Sequence, residues 1–323
     1  MMKRFVRCLL VALCFSATSG DAIARDFVVG YSVLSASAAQ LWVAQDAGIF
    51  DKHGLKVKPI FVQGGTRTTQ ALLAGDLDVA YVAPPGIISA VAGGAQLVFV
   101  TGIYRTLPYM IYGAKGIGTP AQLRGKRVGI TTFGDLSDFG TRFGLRQLGL
   151  DPDKDVSLVQ MGGQPIRMAA LQSGAVGATI LNPPYTFQAR NLGLPLLIDL
   201  IGKVEFASTS HAIRKVDLDR RREEMQRFVD AVVEGNRYFI THKRESVKSM
   251  ASYLRTSDIP SLEESYDLYA KRIMSDTPIP SQSAFRAAIE YVARDVPAAA
   301  KLRPEDVYDL SLVQSAVARL GGS

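Results

Sequence analysis

Residues 64–85, GGTRTTQALLAGDLDVAYVAPP, have a counterpart 99 positions later in residues 163–184, GQPIRMAALQSGAVGATILNPP. Both stretches read as a glycine turn, a helix that ends at a glycine, a short apolar strand and a Pro-Pro pair. The same offset aligns Gly30 with Gly129, each at the end of a predicted strand. Strands that alternate with helices of about 10 to 15 residues are typical of parallel βαβ sheets. The sequence therefore predicts two similar α/β units.

The strand and helix patterns extend this prediction to the whole chain. Strands are predicted at 27–31, 56–62, 79–82, 98–104, 109–113, 127–131, 156–160, 178–181, 196–201 and 204–207. Helices are predicted after residue 217, at 221–241, 245–254, 262–274, 281–294 and 310–320. We expect a second lobe, residues 114–204, inserted into a first lobe made of residues 25–113 and 205–323. Each lobe is expected to hold a mixed, mostly parallel sheet flanked by helices, followed by a helical C-terminal region.

Composition excludes several classes of protein. Of the 323 residues, 47% are apolar and 21% charged, which fits a globular chain and excludes a disordered or collagen-like one. The two cysteines, Cys8 and Cys14, lie too near the N-terminus to cross-link the fold. The net charge of +7 is spread along the chain without a long basic run, so nucleic acid is not an expected partner.

The N-terminus has the layout of a secretory signal peptide. Lys3, Arg4 and Arg7 precede an uncharged run over 8–20, and 22–24 read Ala-Ile-Ala. An N-terminal membrane anchor is the alternative, but the uncharged run is shorter than the roughly 20 residues that span a bilayer. We predict cleavage after Ala24 and export to the periplasm. Cleavage would leave about 299 residues, a net charge of about +5 and no cysteine.

The sequence does not favour catalysis. The three histidines, His53, His211 and His242, lack the spacing of a zinc site. No G-x-S-x-G elbow and no G-x-x-x-x-G-K-[ST] phosphate loop is present. We therefore predict no catalytic residues, no metal ligands and no cofactor.

Polar residues cluster where predicted strands end and helices begin. Ligands of open α/β sheets bind beyond the carboxyl ends of the strands, where helix N-termini favour anions. The residues at these positions include Ser35, Ser37, Gly65, Thr66, Thr132, Phe133, Gly163 and Asn182. Each polar one among them is also a good helix cap without any ligand, and that alternative stays open.

Charged and aromatic side chains could complete such a site. Arg67, Arg105 and Arg167 are candidates for a charge-assisted contact, and Arg105, at the first connection between the lobes, is preferred. Arg167 is equally compatible with an exposed position on its helix. Tyr185 is one of several aromatic residues near strand ends that are expected to line a cleft.

These residues carry a resemblance to a known family. The opening run from Gly30-Tyr31-Ser32 through Trp42-Val43-Ala44 to Gly48–Leu55, the segment 71–80 and the segment 123–129 resemble bacterial solute-binding proteins of ABC importers. The similar branch is the one for nitrate, sulfonates, taurine and thiamine-related pyrimidines. The similarity covers most of residues 27–200.

The resemblance implies a two-lobed type II periplasmic-binding-protein fold that closes on a small molecule, here a small anionic or pyrimidine-like one. It implies delivery to an ABC permease of the inner membrane, and we expect a monomer. By loop position, the family's ligand contacts correspond to Ser35, Ser37, Gly65, Thr66, Thr132, Phe133, Gly163 and Asn182; Arg105 and Tyr185 join them from the residue analysis.

Two other functions stay open at this point. A sensor subunit that presents its ligand to a membrane receptor would need the same closing lobes. An enzyme similar to the thiamine-pyrimidine synthases is disfavoured, because that family uses a cysteine-rich motif and a catalytic histidine, and the predicted mature chain has no cysteine.

Overall fold

The computed structural model describes residues 26–321, so the predicted signal peptide and its cleavage site lie outside the described residues. The strands, in chain order, are β1 (Phe27–Tyr31), β2 (Val57–Phe61), β3 (Val79–Val82), β4 (Leu97–Phe99), β5 (Tyr104–Thr106), β6 (Met110–Gly113), β7 (Arg127–Ile130), β8 (Ser157–Gln160), β9 (Ala178–Leu181), β10 (Leu196–Asp199) and β11 (Glu205–Arg214). All the predicted strand regions contain a strand, and β1, β3 and β9 have the predicted bounds.

The strands form two separate sheets with the same plan. The first sheet has the order β2-β1-β3-β11-β4, with β5 paired to β11, and the second has the order β10-β6-β9-β7-β8. In each sheet three strands from one βαβαβ unit are parallel, as the 99-residue offset predicts. The third strand of each unit also pairs with an antiparallel strand from outside that unit: β3 pairs with β11, and β9 pairs with β6.

The antiparallel strands β6 and β11 each follow a point where the chain crosses from one sheet to the other. The chain leaves the first sheet between β5 and β6 and returns between β10 and β11. The strand β6 belongs to the second sheet, although the sequence analysis placed residues up to 113 in the first lobe; its pairing with β9 and β10 decides this. The strand β11 extends well beyond the predicted 204–207. The prediction followed apolar residues and therefore stopped before Ser208, Ser210 and His211, which are polar but buried.

Helices cover the sheets and form the C-terminal region. They are α1 (Ala39–Asp46), α2 (Ile49–Lys52), α3 (Gly65–Ala74), α4 (Pro84–Ala92), α5 (Pro120–Leu123), α6 (Leu136–Gln147), α7 (Gln164–Gln172), α8 (Tyr185–Asn191), α9 (Lys215–Arg220), α10 (Arg222–Thr241), α11 (Lys243–Leu254), α12 (Ile259–Leu268), α13 (Gln282–Val292), α14 (Pro304–Val307) and α15 (Ser311–Leu320). Two 3-10 helices, Ala36–Ala38 and Pro297–Lys301, and a π turn, Tyr269–Ile273, complete the set. Between residues 26 and 321, none of the helices is long and apolar enough to cross a membrane.

The helix α10 joins the C-terminal region to the first sheet. It packs against α1 and α15, and the ring of Phe228 stacks on Phe27 of β1 with centroids 5.3 Å apart. Gly235 allows the close approach of α1, since a Cβ there would lie 2.8 Å from the Cβ of Ala44. Arg221, just before α10, donates to the buried carboxylate of Asp78 at 2.7 Å. The C-terminal helices are therefore part of the core that supports the first sheet.

Candidate functional site

A cavity of about 180 Å³ lies between the two sheets. The loops after β1, β2 and β3 line one side, and the loops after β7, β8 and β9 line the other. Residues 108–109 and 208–209, next to the two crossings, complete the lining. The cavity therefore lies at the carboxyl ends of the parallel strands of both sheets, the position that the sequence analysis predicts for a ligand site.

Arg167 places a buried positive charge in this cavity. It lies in the first turn of α7, where Pro165 fits because its missing N–H would have no helical partner. Although it lines the cavity, Arg167 is only 1% exposed. Its Nη1 donates to Thr131 Oγ1 and to the carbonyl oxygen of Gly162, and its Nη2 donates to the carbonyl oxygen of Ile180 at 3.2 Å. These bonds fix the guanidinium against the ends of β7, β8 and β9.

The guanidinium of Arg167 keeps two N–H groups without a partner among the described residues. No carboxylate oxygen of the described residues lies within 4.0 Å of it, and its buried Nε has no hydrogen-bond partner. Three of its five N–H groups donate, and the two that remain are on Nε and Nη2. Burial lowers the pKa of Arg167, while Tyr109, Asp135 and Tyr185 oppose that shift. Two free N–H groups on one guanidinium can both donate to a carboxylate or a sulfonate.

Asp135 contributes the negative charge of the cavity lining. It caps α6, and its Oδ1 accepts from the N–H of Ser137 at 2.8 Å, from Ser137 Oγ at 2.6 Å and from the N–H of Asp138 at 3.1 Å. Its Oδ2 accepts no hydrogen bond from the part of the chain described. Burial raises the pKa of Asp135, and the positive charge of Arg167 acts in the opposite direction.

Neutral polar groups surround these two charges. Gln164 and Asn182 form a reciprocal pair, in which Gln164 Nε2 donates to Asn182 Oδ1 and the N–H of Asn182 donates to Gln164 Oε1 at 2.8 Å. The hydroxyl of Ser208, fully buried in the lining, has no partner among residues 26–321. Tyr109 also lines the cavity, and burial raises the pKa of its hydroxyl. A polar ligand would thus find several unused donors and acceptors.

Apolar side chains form the rest of the wall. They are Val33, Leu34, Phe61, Pro85, Pro108, Leu136, Pro165 and Ile166. Phe61 and Ile166 are 39% and 56% exposed, so they lie at the mouth, whereas Arg167 lies inside. The cavity therefore offers charged groups within and apolar contacts toward the entrance, which suits a molecule with one polar and one apolar part.

The two sides of the cavity touch each other around it. The N–H of Ala36 donates to the carbonyl oxygen of Pro183 at 3.1 Å. Gln63 Nε2 lies so close to Gly162 that a Cβ on that glycine would be 2.5 Å away. The rings of Phe139 and Phe206 stack with centroids 3.9 Å apart. This is the arrangement expected of two lobes that have closed on each other.

Four of the ten predicted site residues line the cavity: Ser37, Gly65, Gly163 and Asn182. Ser35 lies directly behind, with its Oγ 2.8 Å from Ser37 Oγ. Thr132 lies across from Gly64, where a Cβ would be 3.2 Å from Thr132 Oγ1. Tyr185 lies outside the lining but is near enough for the charge of Arg167 to lower the pKa of its hydroxyl, which burial raises.

The other three predicted residues face solvent outside the cavity lining. Thr66 is exposed, and Phe133 is 49% exposed. Arg105 is exposed on β5, where its charge helps to lower the pKa of Glu205. The preference for Arg105 over Arg167 therefore does not match the geometry, because Arg167 is the arginine that the fold buries in the cavity.

The sequence did not indicate Tyr109, Asp135 or Ser208 as site residues, whereas Gln164 belongs to the polar segments that follow the predicted strands. Arg167 was a candidate, and the 99-residue offset aligns it with Thr68. Thr68 is buried at the equivalent turn and donates to the carbonyl oxygens of Val62 and Gly64. Positions 68 and 167 therefore face inward in both units.

Comparisons with known proteins identify the family and the fold. The model of the NMT1-like family matches residues 24–255, well over half of the sequence. The chain belongs to the NMT1-like family.

Three solved structures share its fold. A protein of Bordetella bronchiseptica superposes with a TM-score of 0.81 at 20% identity, covering 91% of this chain and 98% of that one. The periplasmic nitrate-binding protein NrtA of Synechocystis has a TM-score of 0.76 at 16% identity, with coverages of 91% and 89%. The alkanesulfonate-binding protein SsuA of Xanthomonas axonopodis, bound to MOPS, has a TM-score of 0.70 at 18% identity, with coverages of 90% and 97%. This NMT1-like chain has the periplasmic-binding-protein fold, as the resemblance predicts.

Proposed function

We propose that this chain is an extracytoplasmic solute-binding protein that captures a small organic anion between two lobes and delivers it to an ABC importer. The observation that carries the proposal is the buried guanidinium of Arg167, which lines a cavity at the carboxyl ends of both sets of parallel strands and whose Nε has no hydrogen-bond partner among the described residues. The similar structures named for nitrate and alkanesulfonate binding support an anionic ligand.

The size of the cavity limits the ligand. An engineered cavity of about 150 Å³ holds a benzene molecule, and the cavity here measures about 180 Å³. A ring or a short branched chain with one acidic group fits that volume, and the apolar wall suits such a body. We therefore propose a ring-sized carboxylate or sulfonate as the ligand class.

A binding role is favoured over catalysis. The lining contains no histidine or cysteine among the described residues, so it holds neither a Ser–His nor a Cys–His pair. Asp138 and Arg142 form an ion pair on α6, and Arg142 also pairs with the exposed Asp153; none of the three lines the cavity. We propose that the protein acts as a monomer in the periplasm, where the pattern of residues 1–24 would direct it.

A thermal-shift screen tests this function. The probes are benzoate, benzenesulfonate and nitrate, with benzamide and benzyl alcohol as uncharged matches, each at millimolar concentration. A ligand at 100 times its Kd adds about 2.7 kcal/mol to the free energy of unfolding, so a bound anion will raise the melting temperature by several degrees. Arg167→Met should remove the shift. The matched control Arg105→Met, which changes an exposed arginine outside the cavity lining, should keep it.

Two results would contradict the proposal. One is a screen in which no anion raises the melting temperature of the unmodified protein. The other is an equal shift by benzoate and its uncharged matches, since the guanidinium would then contribute nothing. Delivery to an importer is tested separately, by co-purification of the tagged protein with a membrane permease in the presence of the anion that gives the largest shift.

A further inference from the structure

We propose that Asp135 is a specificity-determining residue, which selects ligands that carry an amino group in addition to the acidic group bound by Arg167. The inference rests on the proposed function and narrows its ligand class to ring-sized amino-substituted carboxylates or sulfonates. It begins from the side chains that line the cavity, of which Asp135 and Arg167 are the charged ones.

The two oxygens of the Asp135 carboxylate have different surroundings. Oδ1 accepts all three hydrogen bonds that the protein provides, two from backbone N–H groups at the start of α6 and one from Ser137 Oγ. Oδ2 accepts none from residues 26–321, yet the residue lines the cavity. The helix-capping role explains Oδ1 alone, and it leaves Oδ2 available as an acceptor for a ligand.

The charge of Asp135 is not needed for capping. Serine, asparagine and threonine cap helices about as well as aspartate, and the other helices that begin at the cavity have Gly163, Ala83 and Gly64 at this position. The partial positive charge of the helix N-terminus stabilises a carboxylate there, but that effect does not require the carboxylate to line a cavity. A hydrogen-bond donor on the ligand would account both for a carboxylate at this cap and for its position in the cavity lining.

The pairing of charges points to the same ligand chemistry. Asp135 and Arg167 attract each other electrostatically, but they make no contact within 4.0 Å, so neither neutralises the other directly. A simple anion at Arg167 would be repelled by the carboxylate in the same small, largely apolar cavity. An acidic group at Arg167 together with an amino group that donates to Asp135 offsets that repulsion, because it supplies the hydrogen bonds that Arg167 Nε and Asp135 Oδ2 lack.

Titration calorimetry with matched ligands tests the proposal. The probes are benzoate and its three amino isomers, together with benzenesulfonate and its 3-amino derivative. We expect at least one amino-substituted compound to bind the unmodified protein ten times or more tightly than its unsubstituted parent. Asp135→Asn keeps an Oδ1 for capping and replaces Oδ2 by an NH₂ group, so the preference should be lost and benzoate should bind at least as tightly as before.

Two control variants isolate the effect of Oδ2. Asp153→Asn changes the net charge by the same amount at an exposed carboxylate outside the cavity lining, and it should leave the preference unchanged. Asp135→Ser provides a second capping side chain if the asparagine variant fails to fold, and it should also lose the preference.

The outcomes separate this inference from the function on which it rests. If benzoate and all its amino isomers bind the unmodified protein within twofold of one another, the proposed function stands and the role of Asp135 is wrong. If the preference exists but survives in both Asp135 variants, another residue provides it and the inference is again wrong. If no compound binds, both proposals fail.

Discussion

Replacing Arg167 by methionine should separate ligand binding from stability. Methionine has a similar length and no charge, so it removes the guanidinium and fills much of its space. A buried ion without a carboxylate partner costs several kcal/mol of desolvation. Hydrogen bonds from a charged donor contribute about 1.5–3 kcal/mol each, and Arg167 donates three to neutral acceptors. Because these effects oppose each other, we expect the free energy of unfolding to change by less than about 3 kcal/mol.

For ligand affinity, by contrast, no opposing effect offsets the loss of the guanidinium. An acidic ligand that accepts from Nε and Nη2 would lose two charge-assisted hydrogen bonds, or about 3–6 kcal/mol. At 1.4 kcal/mol for each factor of ten, the Kd should rise by about 10² to 10⁴. Titration calorimetry with the anion that gives the largest thermal shift measures this change, and urea denaturation of the empty protein measures the stability.

Arg221→Met is the matched control, because Arg221 is a second partly buried arginine outside the cavity. It pairs with Asp78 at 2.7 Å and with Glu224 at 2.7 Å, and these carboxylates raise its pKa. Removing one partner of a buried ion pair costs about 3–5 kcal/mol, so this variant should be clearly destabilised and bind normally. An Arg167→Met variant that binds normally, or that loses more stability than Arg221→Met, would refute the role of Arg167.

Three further predictions concern other parts of the molecule. Burial lowers the pKa of His211 to about 3, whereas a histidine in an unfolded chain has a pKa of about 6.5. Between these pH values only the unfolded chain binds the proton, so lowering the pH to 5 should reduce the free energy of unfolding by about 2 kcal/mol, and His211→Asn should not show this loss. Equal losses in both proteins, measured by urea denaturation at pH 7.5 and pH 5, would contradict this. Gly235→Ala should cost about 1–3 kcal/mol through overpacking, because its Cβ would lie 2.8 Å from that of Ala44, and an unchanged melting temperature would show that the helices adjust freely. The exposed pair of Arg190 with Glu264, at 2.7 Å, should contribute at most about 1 kcal/mol, so a larger loss in Arg190→Ala would indicate a role beyond the ion pair.

The strands of the two sheets could be predicted from the sequence because apolar runs and glycines repeat at one offset. The strand β11 could be predicted only in part, because hydropathy gives no sign that Ser208, Ser210 and His211 are buried. Their burial depends on β3 and β4, which lie more than 100 residues earlier in the chain. A strand whose polar residues are covered by distant segments has no local pattern to reveal it.

The candidate site could be predicted by location more than by residue. The loops after the parallel strands were identified because their position follows from the order of strands and helices. The choice between Arg105 and Arg167 depends on which of the two side chains faces the cavity between the sheets. The composition of the sequence does not contain that information. The offset between the two repeats aligns Arg167 with Thr68, but only the contacts in the structure show that both positions face inward.

The equivalence of Thr68 and Arg167 also indicates what each side of the cavity contributes to ligand binding. Thr68 and Arg167 each bond the carbonyl oxygen of the glycine-rich turn before their helix, Gly64 in one unit and Gly162 in the other. Both units therefore use this position to hold the turn, but only the second has a side chain long enough to bring a charge to the cavity as well. Both charged lining residues, Asp135 and Arg167, come from that unit, and the first contributes neutral residues. In the proposed binding mode, closure would then add apolar and hydroxyl contacts to a ligand whose acidic group Arg167 already binds, without moving one charged group against another.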